Sequence, residues 1–130
     1  RYTSRFSGRG TTMTIYWQGG AARKLAEFPI SDAEREARIE LAAAYRIFNH
    51  LGWTEMIFNH ITLRVPGPEK LFLINPFGLH YREITASSLV LIDIEGNPVR
   101  ESQWPVNRAG FVIHSAIHGH VADAHCVMHT

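Results

Sequence analysis

The stretch HITLRVPGPEKLFLI, residues 60–74, decides the fold class. Polar and apolar residues alternate from His60 to Val65, the period of a half-buried strand. Pro66-Gly67-Pro68 makes a turn, and Leu71-Phe72-Leu73-Ile74 is the returning strand of a hairpin. Upstream, Pro29-Ile30-Ser31 announces a helix. Ser31 and Glu34 have capping-box spacing, each side chain serving the other's free backbone N–H. Ala37, Leu41, Ala44, Phe48 and Leu51 recur at three and four residues as one apolar stripe, and Gly52 suits the left-handed residue that ends a helix. The spacing therefore predicts a helix over about 32–51, with Trp53–Phe58 as a connecting loop.

Downstream of the hairpin, Asn75-Pro76-Phe77-Gly78 breaks the strand. A loop follows, with Thr85 as a candidate cap. Leu89–Ile94 is a third strand, Glu95-Gly96-Asn97-Pro98 a turn, and Pro98–Arg100 a short strand beside it. Residues of about 108–121 read as a second helix and 124–130 as a last strand. Helix, meander, helix, strand implies a sheet covered by helices, an α/β domain. Residues 1–28 are a polar, Gly-containing leader, and residues 29–130 carry the domain. Met13 opens a more protein-like stretch and is read as the natural start. The closing strand reads as cut short, so the chain is taken as a fragment.

Composition narrows the function classes. The 130 residues suffice for one domain. Hydrophobic residues at 45% and charged residues at 19% argue against wholesale disorder. Thirteen basic against twelve acidic residues leave a formal charge of +1, so nothing supports binding to nucleic-acid phosphates. No apolar run reaches the ~18 residues of a membrane helix. The single cysteine, Cys126, cannot form an internal disulfide, which points to a reducing, cytoplasmic setting, and its apolar neighbours suggest a buried small hydrophobe.

Five of eight histidines fall in the last 17 residues, which invites a metal hypothesis. His129 lies near the end of a strand, where a His-x-His pair would aim two imidazoles one way; taken alone it reads as a structural or surface histidine. His114 and His118 share a helix face at a spacing zinc can use. No glutamate sits beside His114, so the metalloprotease pattern is absent. One buried, hydrogen-bonded ring and one exposed ring is the simpler expectation. His120 and His125 flank a loop and should be solvated. Asn59, Asn75 and Gly78 lie in loops at strand ends, which often present N–H groups to anions; turn chemistry explains the same residues.

Several segments in order resemble the class II aldolase/adducin domain. They are Phe48-Asn49-His50-Leu51-Gly52-Trp53, Phe58-Asn59-His60-Ile61-Thr62, Leu73-Ile74-Asn75-Pro76-Phe77-Gly78-Leu79, Glu83 to Val90, Asn107 to His118, and Asp123 to Thr130. The resemblance runs from about Ser31 to Thr130. It implies a three-layer α/β/α sandwich with a mixed, mostly antiparallel sheet, a small-molecule substrate and a homotetramer. It also implies a divalent metal, usually zinc, acting as a Lewis acid on an enediolate. His129 matches the first metal ligand of the family. Asn59 and Gly78 match two of its substrate-phosphate segments, while Phe58, Phe77 and Ala109 depart from them. Gly110 stands where the family carries its catalytic carboxylate, and the Ala109-Gly110-Phe111 pattern is that of the adducin-like branch. The expected function is thus a metal-dependent lyase acting on a hydroxy-carbonyl or sugar-derived compound. His60 or His114 would replace the missing acid, and Asn59, Asn75 and Gly78 would line the substrate pocket. The alternative is a non-catalytic module for self-association or partner binding.

Overall fold

The computed structural model describes residues 29–130; the leader and Met13 lie outside the described residues. Helix α1 spans Asp32–Leu51 and is followed by strands β1 (His60–Arg64), β2 (Phe72–Ile74) and β3 (Val90–Ile92). Helix α2 (Arg108–His120) then leads to β4 (Cys126–His129). The strands form one sheet in the order β3-β2-β1-β4, and every pairing is antiparallel. The mixed sheet implied by the resemblance is thus wholly antiparallel among the described residues. The expected strand at Pro98–Arg100 shrinks to a single bridge between Ile92 and Pro98. Thr85 caps no helix. It exchanges hydrogen bonds with Ser88 in a turn instead.

Both ends of α1 follow from the sequence. Ser31 Oγ accepts from Glu34 N–H at 3.1 Å, and Gly52 closes the helix at φ +73°. The expected return half of the capping box is not made, because the Glu34 carboxylate turns to Arg38 (2.8 Å) and Arg100 (2.6 Å). Two guanidiniums outcompete one backbone N–H for a buried anion. The apolar stripe is also shifted. Ala37, Leu41 and Tyr45 are buried, Phe48 packs at the margin, Ala44 is half-buried and Leu51 is exposed.

The pleat sends alternate residues to opposite faces. Ile61, Leu73 and Leu91 pack with α1, whereas Phe72, Ile74, Val90 and Ile92 pack with Trp104, Val106 and Phe111. Strand β1 is therefore not half-buried as its alternation suggests. Its polar residues His60 and Thr62 are buried as well, at 6% and 0% exposure. Thr62 lies inside because α2 brings the His114 and His118 rings to its hydroxyl, and His60 is held through Nδ1 by the carbonyl oxygen of Phe58. Tyr45 ties α1 to β1. Its hydroxyl accepts from Ile61 N–H (2.7 Å) and points its proton at the oxygens of Ile61 (2.6 Å) and Asn75 (2.9 Å).

Candidate functional site

Three histidines from three elements meet at one end of the sheet. His60 opens β1 and is the register partner of His129 on β4. Their ring centres are 5.5 Å apart and nearly perpendicular. His114 on α2 lies 4.4 Å from His60, ring centre to ring centre. The buried residues of α2 are Gly110, His114 and His118, spaced by four and so aligned on the face turned to β1. His114 and His118 are both 2% exposed, so the expectation of one buried and one exposed ring is wrong: both are buried. The reason is Thr62, whose Oγ1 lies 2.7 Å from His114 Nδ1 and 2.9 Å from His118 Nε2. Phe72 stacks on His118 at 4.7 Å, and Ala124 O lies 3.0 Å from His118 Nδ1.

Gly110 is a packing necessity. A Cβ there would stand 2.8 Å from His60 Nε2, so the His60 ring fills the space a side chain at 110 would need. His60 Nδ1 is held 3.1 Å from the carbonyl oxygen of Phe58, while its Nε2 is buried without a partner. Burial lowers the pKa of all three inward rings. For His114 burial, reinforced by His60, His118 and His129, brings it down to about 3. These rings are neutral at physiological pH.

The loop residues share that end of the sheet. Leu63 faces Leu73 in the β1–β2 ladder, so the start of β1 and the end of β2 lie together. Phe77 N–H donates to the carbonyl oxygen of Pro105 (2.8 Å), just ahead of α2, and Gly110 in the first turn of α2 lies against His60. Asn59 is buried, and its Oδ1 has no partner. Gly78 holds φ +100° with open space where a side chain would be. Asn75 is buried, with its Oδ1 taken by Tyr45. His120 and His125 are exposed, as expected. Cys126 is exposed too, contrary to the expectation of a buried thiol, because β4 pairs with β1 alone among the described residues. A cleft of about 800 Å³ is lined by Arg35, Arg38, Arg100 and Trp104, and none of the histidines lines it.

For a metal ion, the donor chemistry fits: neutral imidazole is a preferred zinc ligand, and an orphaned nitrogen sits beside His129. The number of donors does not suffice by itself. Among the described residues no three His, Cys, Asp or Glu side chains are placed to hold one ion. Thr62 and its contacts escaped the sequence reading. The available signal was a polar stripe on β1, His60 and Thr62, matching a second polar stripe at i, i+4 on α2.

An antiparallel sheet flanked by two helices, with imidazoles gathered at one end, belongs to a known class. The chain is a member of the class II aldolase and adducin N-terminal domain family, whose sequence profile matches residues 39–130. A Caulobacter vibrioides protein of the aldolase class 2 type is 55% identical over 77% of this chain, and alpha-adducin of Rattus norvegicus is 47% identical over 74%. This chain covers 39% of the former and 13% of the latter, so it spans well under half the length of these curated relatives. The solved L-fuculose 1-phosphate aldolase of Glaciozyma antarctica PI12 superposes with a TM-score of 0.72 at 33% identity, over 86% of this chain and 47% of that one. No helix among the described residues is long and apolar enough to cross a membrane.

Proposed function

We propose that this chain contributes the first half of the active site of a divalent-metal-dependent lyase, cleaving a carbon–carbon bond in a small hydroxy-carbonyl or sugar-derived substrate. The observation that carries this is the imidazole cluster at one end of the sheet, where His60 meets His114 and His129. Similarity to a named aldolase supports the reaction class. His129 is the residue that would hold the metal, which is zinc in this reading; further ligands come from outside this chain. When bound, the metal supplies Lewis-acid stabilisation of negative charge on a substrate oxygen. Asn59 and Gly78 line the substrate side, and Asn75 holds the floor beneath them through Tyr45. Gly110 has no side chain to move a proton, so that work falls to the His60 and His114 imidazoles. In the whole protein the domain is a three-layer α/β/α sandwich, assembled as a cytoplasmic homotetramer.

A second reading is favoured by Gly110 and by the similarity to alpha-adducin: a non-catalytic module for self-association or partner binding. Metal analysis of the full-length protein separates the two. Stoichiometric zinc that is lost on His129→Ala supports the lyase, and purified protein without metal at neutral pH favours the binding module. A cleavage screen with phosphorylated and unphosphorylated sugars then tests the substrate class. Activity confined to phosphorylated sugars would show that Phe58, Phe77 and Ala109 do not impair phosphate recognition.

A further inference from the structure

The layer between β1 and α2 fixes the position of each ring proton. His118 Nδ1 lies 3.0 Å from the carbonyl oxygen of Ala124, which can only accept, so this neutral ring carries its proton on Nδ1 and a lone pair on Nε2. Thr62 Oγ1 is 2.9 Å from that Nε2, so the hydroxyl donates there and its one proton is spent. The same oxygen, 2.7 Å from His114 Nδ1, can then only accept, and His114 must also carry its proton on Nδ1. Thr62 is fully buried, so bulk water does not compete for its oxygen. His60, held by Phe58 O, takes the same form. A free histidine side chain in water favours the opposite tautomer, so three Nδ1–H rings in one cluster are an imposed arrangement.

We propose that Thr62 is a positioning residue, whose hydroxyl bridges His118 and His114 and so holds His114 with Nδ1 protonated and Nε2 open as an acceptor beside His60. Burial, which keeps these rings neutral, supports the assignment. A lone pair on His114 Nε2 can accept a hydrogen bond from a substrate hydroxyl, whereas the other tautomer would present an N–H there. That use of His114 rests on the function proposed above. The proton pattern does not.

The test is long-range 1H–15N spectroscopy of the full chain carrying 15N-histidine. The wild type should show His60, His114 and His118 each as a single Nδ1–H tautomer. Thr62→Val keeps the side-chain shape and removes the hydroxyl; His114 should then populate the Nε2–H form, and Thr62→Ser should restore the original pattern. A wild-type His114 protonated on Nε2 overturns the proposal, even if the valine variant fails to fold. So does a folded Thr62→Val protein with an unchanged His114 spectrum. If the full-length protein cleaves an aldol substrate, Thr62→Val should lower kcat about 10-fold with KM little changed, and Thr62→Ser should recover it. A full-length protein without cleavage activity would remove the lyase reading and leave the tautomer result standing.

Discussion

At the scale of single residues, Gly110 and His60 must be considered together. A methyl group at position 110 would press on His60 Nε2 at 2.8 Å, so Gly110→Ala should displace the ring and cost about 1–3 kcal/mol in a urea titration. In a His60→Ala background the same change should cost much less; equal costs would mean that the ring is not the obstacle. That position 110 carries no side chain was legible in the sequence. Its physical cause was not, because the ring that fills the space comes from another element. The buried histidines also set a pH dependence. The folded-state pKa of His114 is about 3 and that of an unfolded histidine is near 6.5, so the unfolded chain binds the proton between these values. Stability is therefore fully present above about pH 6.5 and falls as pH drops toward 3, by up to about 1.4 kcal/mol per pH unit for this group. His60 and His118 shift in the same direction and deepen the loss. Urea midpoints that stay flat from pH 7.5 to 5 would contradict the assignment of neutral buried rings.

At the scale of elements, the pieces were largely legible: both helices, the hairpin and the last strand fall within a residue or two of the places their periodicity predicts. What joins them was not. The apolar stripe of α1 pointed to Ala44 and Leu51, whereas the buried anchor is Tyr45, at 0% exposure. Its signal is hidden because the hydroxyl's partners belong to β1 and to the residue just past β2. By the register of the ladder, Ile61 would face Asn75, but the pairing ends at Leu63–Leu73, and Tyr45 bridges the gap. Burial drives the phenol pKa well above its ordinary value, so the group stays a neutral donor. Tyr45→Phe should therefore leave Ile61 N–H and Asn75 Oδ1 unsatisfied and cost about 1–3 kcal/mol in chemical denaturation. Parent-like stability would mean that water can enter the gap and replace the hydroxyl.

At the scale of the molecule, the candidate site straddles unequal parts of the sheet. His60 stands on β1, which is paired on both sides, whereas His129 stands on β4, which pairs with β1 alone among the described residues. Strand β4 is mostly exposed, with Met128 at 55%, while β2 is buried throughout. Opening β4 uncovers little apolar surface, so its local unfolding should require less free energy than that of the central strands. Hydrogen exchange should therefore be slowest in β1 and β2 and fastest, among the strands, in β4. The arrangement also makes exchange a readout of the proposed metal. An ion held by His129 together with ligands from the rest of the full-length protein binds only the closed strand, so zinc should slow β4 exchange in proportion to its occupancy. His129→Ala should abolish that slowing while leaving β1 and β2 unchanged. Protection in β4 equal to that in β2 would overturn the unequal-sheet argument. Zinc-induced slowing that survives His129→Ala would place the ion on other ligands.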